Sequence, residues 1–228
     1  MTTVIGLRAE KGKEKGIVLA SDVSLTRTEW RPAGDVVYRE QTKDEGQKMY
    51  ISDDGRVAVA VIGTFDDYTA DMLSLIRRGE IDLKKAFTDR DLKNIREMHM
   101  RRYNFTRSNG DDTTSLIIAS RLEGKPFLHY VNPFGKVEER KYALDGSGSK
   151  HAVEALRPDW ADIPYHLNMK QAFDICVEGL GRSSKDIYSG GLDIVAVTPD
   201  GIRQFGSGIK DKLDKAKKEA IRDIRRQL

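Results

Sequence analysis

The sequence predicts an α+β fold, a four-layer αββα sandwich in which helix pairs cover two stacked antiparallel sheets. Segments with strand character come in runs, and segments with helical periodicity come mostly in pairs. A parallel sheet would instead need single helices between successive strands. No internal repeat, low-complexity run or linker divides the chain, so we expect one domain over residues 1–228.

The first half of the chain predicts two β-hairpins separated by a polar segment. Residues 2–9 and 17–21 form the first hairpin, and residues 48–52 and 56–62 form the second around an Asp-Asp-Gly turn. Residues 27–47 are polar and aperiodic, which predicts a long loop with at most a short strand at 36–38.

The rest of the chain alternates between helical and strand periodicity. Apolar residues at helical spacing predict two helices, over 65–76 and 83–105. The later elements are strands at 113–120, 126–131 and 136–144, helices at 149–156 and 169–180, strands at 192–198 and 202–206, and a charged helix at 209–226.

Composition excludes several classes of protein. Charged residues make up 33% of the chain, but 39 basic residues balance 36 acidic ones, which argues against nucleic-acid binding. Cys176 is the only cysteine, so no internal disulfide forms, and a reducing cytoplasm is expected. No apolar run is long enough for a membrane helix, and no signal peptide is evident. The four histidines lack metal-ligand spacing, so we expect no metal and no cofactor.

Thr2 is the first residue whose position suggests chemistry. A threonine hydroxyl is a weak nucleophile until a base takes its proton. Removal of Met1 would give Thr2 its own base, the α-amino group, whose ordinary pKa of about 7.7–8.0 suits general-base catalysis near neutral pH. Many proteins begin with Met-Thr, so this feature carries weight only with the rest of the chain.

Six short motifs, in order, resemble the proteasome β-subunit family of threonine peptidases. Their order and the strand–helix order agree along nearly the whole chain. They are Thr2-Thr3-Val4-Ile5-Gly6, Leu19-Ala20-Ser21-Asp22, Thr26, Lys48 before a strand, Gly146-Ser147-Gly148-Ser149, and Asp186 with Ser189 before a strand.

The resemblance implies an N-terminal-nucleophile (Ntn) hydrolase fold and a set of site residues. Asp22 and Lys48 would pair and hold a positive field near the Thr2 hydroxyl, which eases proton transfer. Ser147 would hold the α-amine and an attacking water. Asp186 and Ser189 would accept hydrogen bonds from the amine.

Three residues are expected to bind substrate. The resemblance implies that Thr26, four residues after Asp22, binds the substrate backbone; Val59 and Val61, on the strand at 56–62, are further candidates, and a backbone N–H near Val61 would stabilise the oxyanion. The family usually has glycine at that place, whereas here the sequence is Ala60-Val61 and the nearest glycine is Gly63.

The expected activity is threonine-type hydrolysis of peptides or unfolded proteins through an ester on Thr2. The family implies a homo-oligomeric ring, with α-type ring subunits and an ATPase cap as further candidate partners, and no nucleic acid or membrane. Two alternatives remain open: a narrow-specificity transpeptidase or amidase, and a catalytically inactive structural ring subunit.

Overall fold

The computed structural model describes residues 2–12, 14–33, 36–45, 48–63, 114–133, 136–156, 167–183 and 192–205. The helices predicted at 65–76, 83–105 and 209–226 lie outside these residues. The described strands are β1 (Thr3–Ala9), β2 (Gly16–Ser21), β3 (Ser24–Ala33), β4 (Val36–Glu45), β5 (Met49–Ile51), β6 (Val57–Gly63), β7 (Thr114–Leu122), β8 (Lys125–Val131), β9 (Val137–Glu139), β10 (Tyr142–Gly146), β11 (Asp193–Thr198) and β12 (Gly201–Phe205).

The strands form two five-stranded antiparallel sheets and one two-stranded ribbon. The first sheet has the order β10-β1-β2-β11-β12, and the second has the order β5-β6-β7-β8-β9. The ribbon pairs β3 with β4. β1 therefore lies between β10 and β2, so its first residues face the ends of both neighbours.

The core lies between the two sheets. In the two five-stranded sheets, alternate residues of the central strands point inward, as in any half-buried sheet. Val4, Leu19 and Val195 of the first sheet meet Ala60, Ile117 and Leu128 of the second in one buried cluster. This stacking confirms the predicted α+β sandwich.

A second apolar cluster joins the first sheet to a helix. Helix α1 (Ser149–Ala152) continues as a short 3₁₀ helix (Val153–Leu156), and helix α2 (Met169–Ser183) follows. The other face of β1 packs on α2 through Ile5, Leu7 and Cys176. No helix in the described ranges is both long and apolar enough to cross a bilayer.

Two predictions about strands were wrong. Residues 27–47 were expected to be mainly a loop, but most of them belong to the ten-residue strands β3 and β4. The strand predicted over 136–144 is two strands, because the chain leaves the second sheet after β9 and enters the first sheet at β10.

Candidate active site

Thr2 lies at the start of β1, between the ends of the two neighbouring strands. Its neighbour Thr3 pairs with Gly146 at the end of β10, and Val4 pairs with Ser21 at the end of β2. Only 4% of Thr2 is exposed. The N-terminal end of the chain is thus built into the sheet, and the strand ends around it form the walls of the site.

Asp22 and Lys48 form a buried ion pair beside this point. The Lys48 ammonium Nζ lies 3.1 Å from Oδ1 and 3.0 Å from Oδ2 of Asp22, and the two residues are 4% and 1% exposed. The Thr3 backbone N–H also donates to Asp22 Oδ1 at 2.7 Å. Asp22 therefore ties the start of β1 to a cation from the second sheet, where Lys48 precedes β5.

Hydrogen bonds to a charged group are the stronger kind, and a buried charge needs such partners. The backbone around Asp22 is fixed as well, since its N–H donates to the Thr3 carbonyl at 3.1 Å. The sequence analysis expected this pair, and the geometry contains it. A fixed positive charge next to the N-terminal threonine can stabilise an oxyanion that forms there.

Gly146 closes the site on the side of β10. Its φ of +103° lies in the region that favours glycine. A Cβ on Gly146 would lie 1.7 Å from the carbonyl oxygen of Thr2, so only glycine permits this close approach. Ser147 follows directly, and its Oγ is buried with no hydrogen-bond partner among the described residues.

Two side chains that sequence analysis missed contact this end of β10. Asp145 Oδ1 accepts the Gly146 N–H at 2.6 Å, and Asp145 Oδ2 accepts the Tyr130 hydroxyl at 2.8 Å. Tyr130 belongs to β8 in the other sheet. The only local signal was an Asp immediately before the Gly-Ser run, which also fits an ordinary turn.

The Val61 N–H itself is already bonded, and an oxyanion contact from another amide near Val61 stays a prediction. The Val61 N–H donates to the Lys48 carbonyl oxygen at 3.0 Å, so it already belongs to the sheet. Val59 is fully buried and pairs with Tyr50, which argues against a role in binding substrate. Backbone groups alternate in direction along a strand, so the Gly63 N–H points to the same edge as that of Val61.

Gly63 is the last residue of β6, is exposed, and has a φ of +98°. Its amide is therefore the better candidate for contact with a substrate oxygen. Thr26 lies in β3 with its backbone paired to Lys43, and its proposed contact with substrate stays a prediction. Asp186 and Ser189 lie outside the described residues.

A second buried carboxylate lies two strands away from β1. Asp193 pairs with Ser21 across β11 and β2 and is 3% exposed. Burial raises the pKa of its carboxyl, and a 3.3 Å hydrogen bond from Gln204 Nε2 opposes this rise. Within the described parts of the chain, no three His, Cys, Asp or Glu side chains cluster closely enough to hold a metal ion.

Comparisons with known proteins agree with this arrangement. The family model described as "Proteasome subunit" matches residues 2–198. "Proteasome subunit beta" of Haloferax volcanii is 26% identical over 203 residues, which cover 88% of this chain and 75% of the relative. "Proteasome subunit beta 1" of Thermococcus gammatolerans is 25% identical over 214 residues, or 92% of this chain and 95% of the relative. The chain belongs to the proteasome subunit family.

Proposed function

We propose that this protein is a threonine-type peptide hydrolase with Thr2 as its nucleophile after removal of Met1. The observation that carries the proposal is the buried Asp22–Lys48 pair at the start of β1, 3.0 Å between Nζ and Oδ2. An N-terminal threonine supplies its own base, and the fixed cation favours loss of the hydroxyl proton.

The reaction then follows from the positions of these groups. The Thr2 hydroxyl attacks the peptide carbonyl while the α-amine takes its proton. The C–N bond of the tetrahedral intermediate then breaks, the leaving amine takes that proton from the α-ammonium, and an ester remains on Thr2. Water, activated by the same α-amine, hydrolyses the ester. In this proposal the Gly63 N–H and the Lys48 charge stabilise the tetrahedral oxyanion. Ser147, Asp186 and Ser189 are proposed to orient the amine and the water.

Labelling of Thr2 tests the proposal. Protein with Met1 removed is incubated with a β-lactone or a peptidyl epoxyketone, and mass spectrometry locates the adduct. We expect an adduct on Thr2 in the parent protein and in Thr2→Ser, and none in Thr2→Ala. Thr3→Val is the matched control, because it removes the neighbouring hydroxyl but keeps the N–H that donates to Asp22. A correctly processed protein that gives no adduct on Thr2 would overturn the proposal.

One feature favours a narrow substrate range. The β3–β4 ribbon starts at Ser24, two residues after Asp22, and ends at Glu45, three residues before Lys48. Its two ends are therefore close in the chain to both members of the ion pair, and we propose that the ribbon selects among substrates. The second candidate function is therefore a transpeptidase or amidase that acts on one kind of peptide.

The two candidates differ in what accepts the acyl group from Thr2. Peptide substrates are incubated with and without a second peptide that carries a free amine, and product masses are compared. A joined product that dominates over the hydrolysed one favours transpeptidation. An enzyme whose products are unchanged by the acceptor is a hydrolase.

We also propose that the chain works in the cytoplasm as a ring subunit, alone or with α-type subunits. Family membership supports assembly, and native mass spectrometry of the purified protein, with and without candidate α-type subunits, measures it. A protein that stays monomeric under all these conditions would contradict the ring. An inactive ring subunit would assemble but leave Thr2 unlabelled.

A further inference from the structure

The Asp145 carboxylate joins the two sheets next to Thr2. One oxygen accepts the Gly146 N–H at 2.6 Å, and the other accepts the Tyr130 hydroxyl at 2.8 Å. Tyr130 also shares a hydrogen bond with the Ser115 hydroxyl on β7. Burial raises the pKa of the Tyr130 hydroxyl, so it stays protonated at neutral pH and remains a donor.

The position of Thr2 depends on where Gly146 lies. Gly146 contacts the Thr2 carbonyl so closely that no side chain fits between them. Any shift of the end of β10 must therefore move Thr2 or open a gap beside it. Asp145 holds that strand end through the Gly146 amide, and Tyr130 holds Asp145 from the second sheet.

The position of Gly146 also fixes that of Ser147, whose hydroxyl has a role in the proposed reaction. Its buried Oγ has no partner in the described part of the chain. A buried hydroxyl without a hydrogen bond is costly, so such groups commonly have a functional reason. In the proposed reaction, this hydroxyl would bind the amine and the water of the ester intermediate, provided that Ser147 keeps its distance to Thr2.

We propose that Tyr130 and Asp145 are positioning residues that hold the Gly146–Ser147 turn in register with Thr2 for acylation. This inference rests on the proposed function. Neither residue touches the substrate; both act through the turn. The alternative is that they only fasten the two sheets together, in which case their loss lowers stability and leaves the chemistry of Thr2 unchanged.

Tyr130→Phe separates these two roles. The ring stays in place for its contact with the Arg140 guanidinium, 5.9 Å from the ring centre, while the hydroxyl is lost. We expect the maximal rate of Thr2 labelling by a β-lactone to fall about 10- to 100-fold, because misplacement of reacting groups by about 1 Å has effects of this size. The β-lactone concentration that gives half the maximal rate should stay within about twofold of that for the parent protein. Tyr142→Phe is the matched control, since Tyr142 is on β10 with Asp145 but packs on the helix side of the sheet.

Asp145 variants provide a rescue test. Asp145→Ala removes both acceptors, whereas Asp145→Asn keeps an oxygen for the Gly146 N–H and an amide that can donate to Tyr130. We expect labelling to be lost in Asp145→Ala and largely retained in Asp145→Asn. Hydrogen exchange of the Gly146 amide gives a readout that needs no activity: exchange should speed up in Asp145→Ala and stay slow in Asp145→Asn.

The outcomes are distinguishable. Equal maximal labelling rates in the parent and Tyr130→Phe would overturn this inference and leave the proposed function standing. A parent protein that gives no Thr2 adduct would overturn both. If Tyr130→Phe does not fold, the two Asp145 variants decide between the roles. The positioning role would be refuted if Asp145→Asn lost as much labelling as Asp145→Ala while its Gly146 amide still exchanged slowly.

Discussion

Loss of one member of the Asp22–Lys48 pair should destabilise the protein strongly. Lys48→Met keeps most of the side-chain volume but removes the ammonium that lies 3.0 Å from Asp22 Oδ2. Both residues are almost completely buried, so water cannot replace the lost cation. Breaking a buried pair in this way costs about 3–5 kcal/mol of unfolding free energy. For a chain of this size, each kcal/mol lowers Tm by about 2–4 °C, so we expect a fall of about 6–20 °C.

Urea unfolding followed by circular dichroism measures this loss at one fixed protein concentration. The double variant Asp22→Asn/Lys48→Met removes both charges and should regain most of the stability, because replacing a whole buried pair is often nearly neutral. The control is Arg182→Met, which breaks an exposed pair with Glu178 and should cost about 1 kcal/mol or less.

Two results would refute this reasoning. One is a Lys48→Met protein that loses less than about 1 kcal/mol, which would mean that the pair is not desolvated. The other is a double variant no more stable than Lys48→Met, which would mean that the two charges are not coupled. The double variant also separates stability from chemistry: if it folds well, the proposed role of Lys48 requires that β-lactone labelling of Thr2 remain slow.

Three further predictions concern other parts of the site and core. Gly146→Ala should slow Thr2 labelling by about 100-fold or more, because its Cβ would overlap the Thr2 carbonyl. Gly124→Ala is the control: Gly124 also has a positive φ but open space around it, so the substitution should lower the unfolding free energy by only about 1–2 kcal/mol and leave labelling unchanged. Cys176 is buried and its pKa is raised by desolvation, so a disulfide reagent should detect no thiol in the native protein and one per chain in guanidinium; rapid native labelling would contradict this packing. Asp193→Asn should raise the urea midpoint at pH 7, because the raised carboxyl pKa means that folding favours the protonated form. This gain in stability should shrink as the pH falls towards the carboxyl pKa of about 3.9 in the unfolded chain, and a gain that does not depend on pH would argue against this cause.

Elements whose apolar residues recur at a regular spacing could be predicted from the sequence. The hairpin of β5 and β6 shows short apolar strands around an Asp-Asp-Gly turn, and Gly55 adopts the positive φ that such a turn uses. The β3–β4 ribbon was missed because its strands carry polar residues at most positions, and because Pro32, which lies within β3, argues against a strand when only the sequence is read. Alternation marks a strand only when one face is buried in a core.

Contacts between the sheets could not be read from local patterns. Asp22 and Lys48 are 26 positions apart, and only the resemblance to a family suggested that they meet. Tyr130 and Asp145 are 15 positions apart and match no motif, so their contact appears only once β8 and β10 are stacked. That the Val61 amide is already bonded could not be read from the sequence either, because it depends on which residue near β5 lies opposite Val61.

The site draws its parts from both sheets, with Asp22 and Gly146 on one and Lys48 and Tyr130 on the other. Neither sheet alone carries the cation next to the N-terminal threonine. In a newly made chain whose hairpins have formed but whose two sheets have not yet packed together, Thr2 would therefore be unreactive. If Thr2 is the nucleophile as proposed, its reactivity towards a β-lactone would report the last step of folding, in which the two sheets pack together.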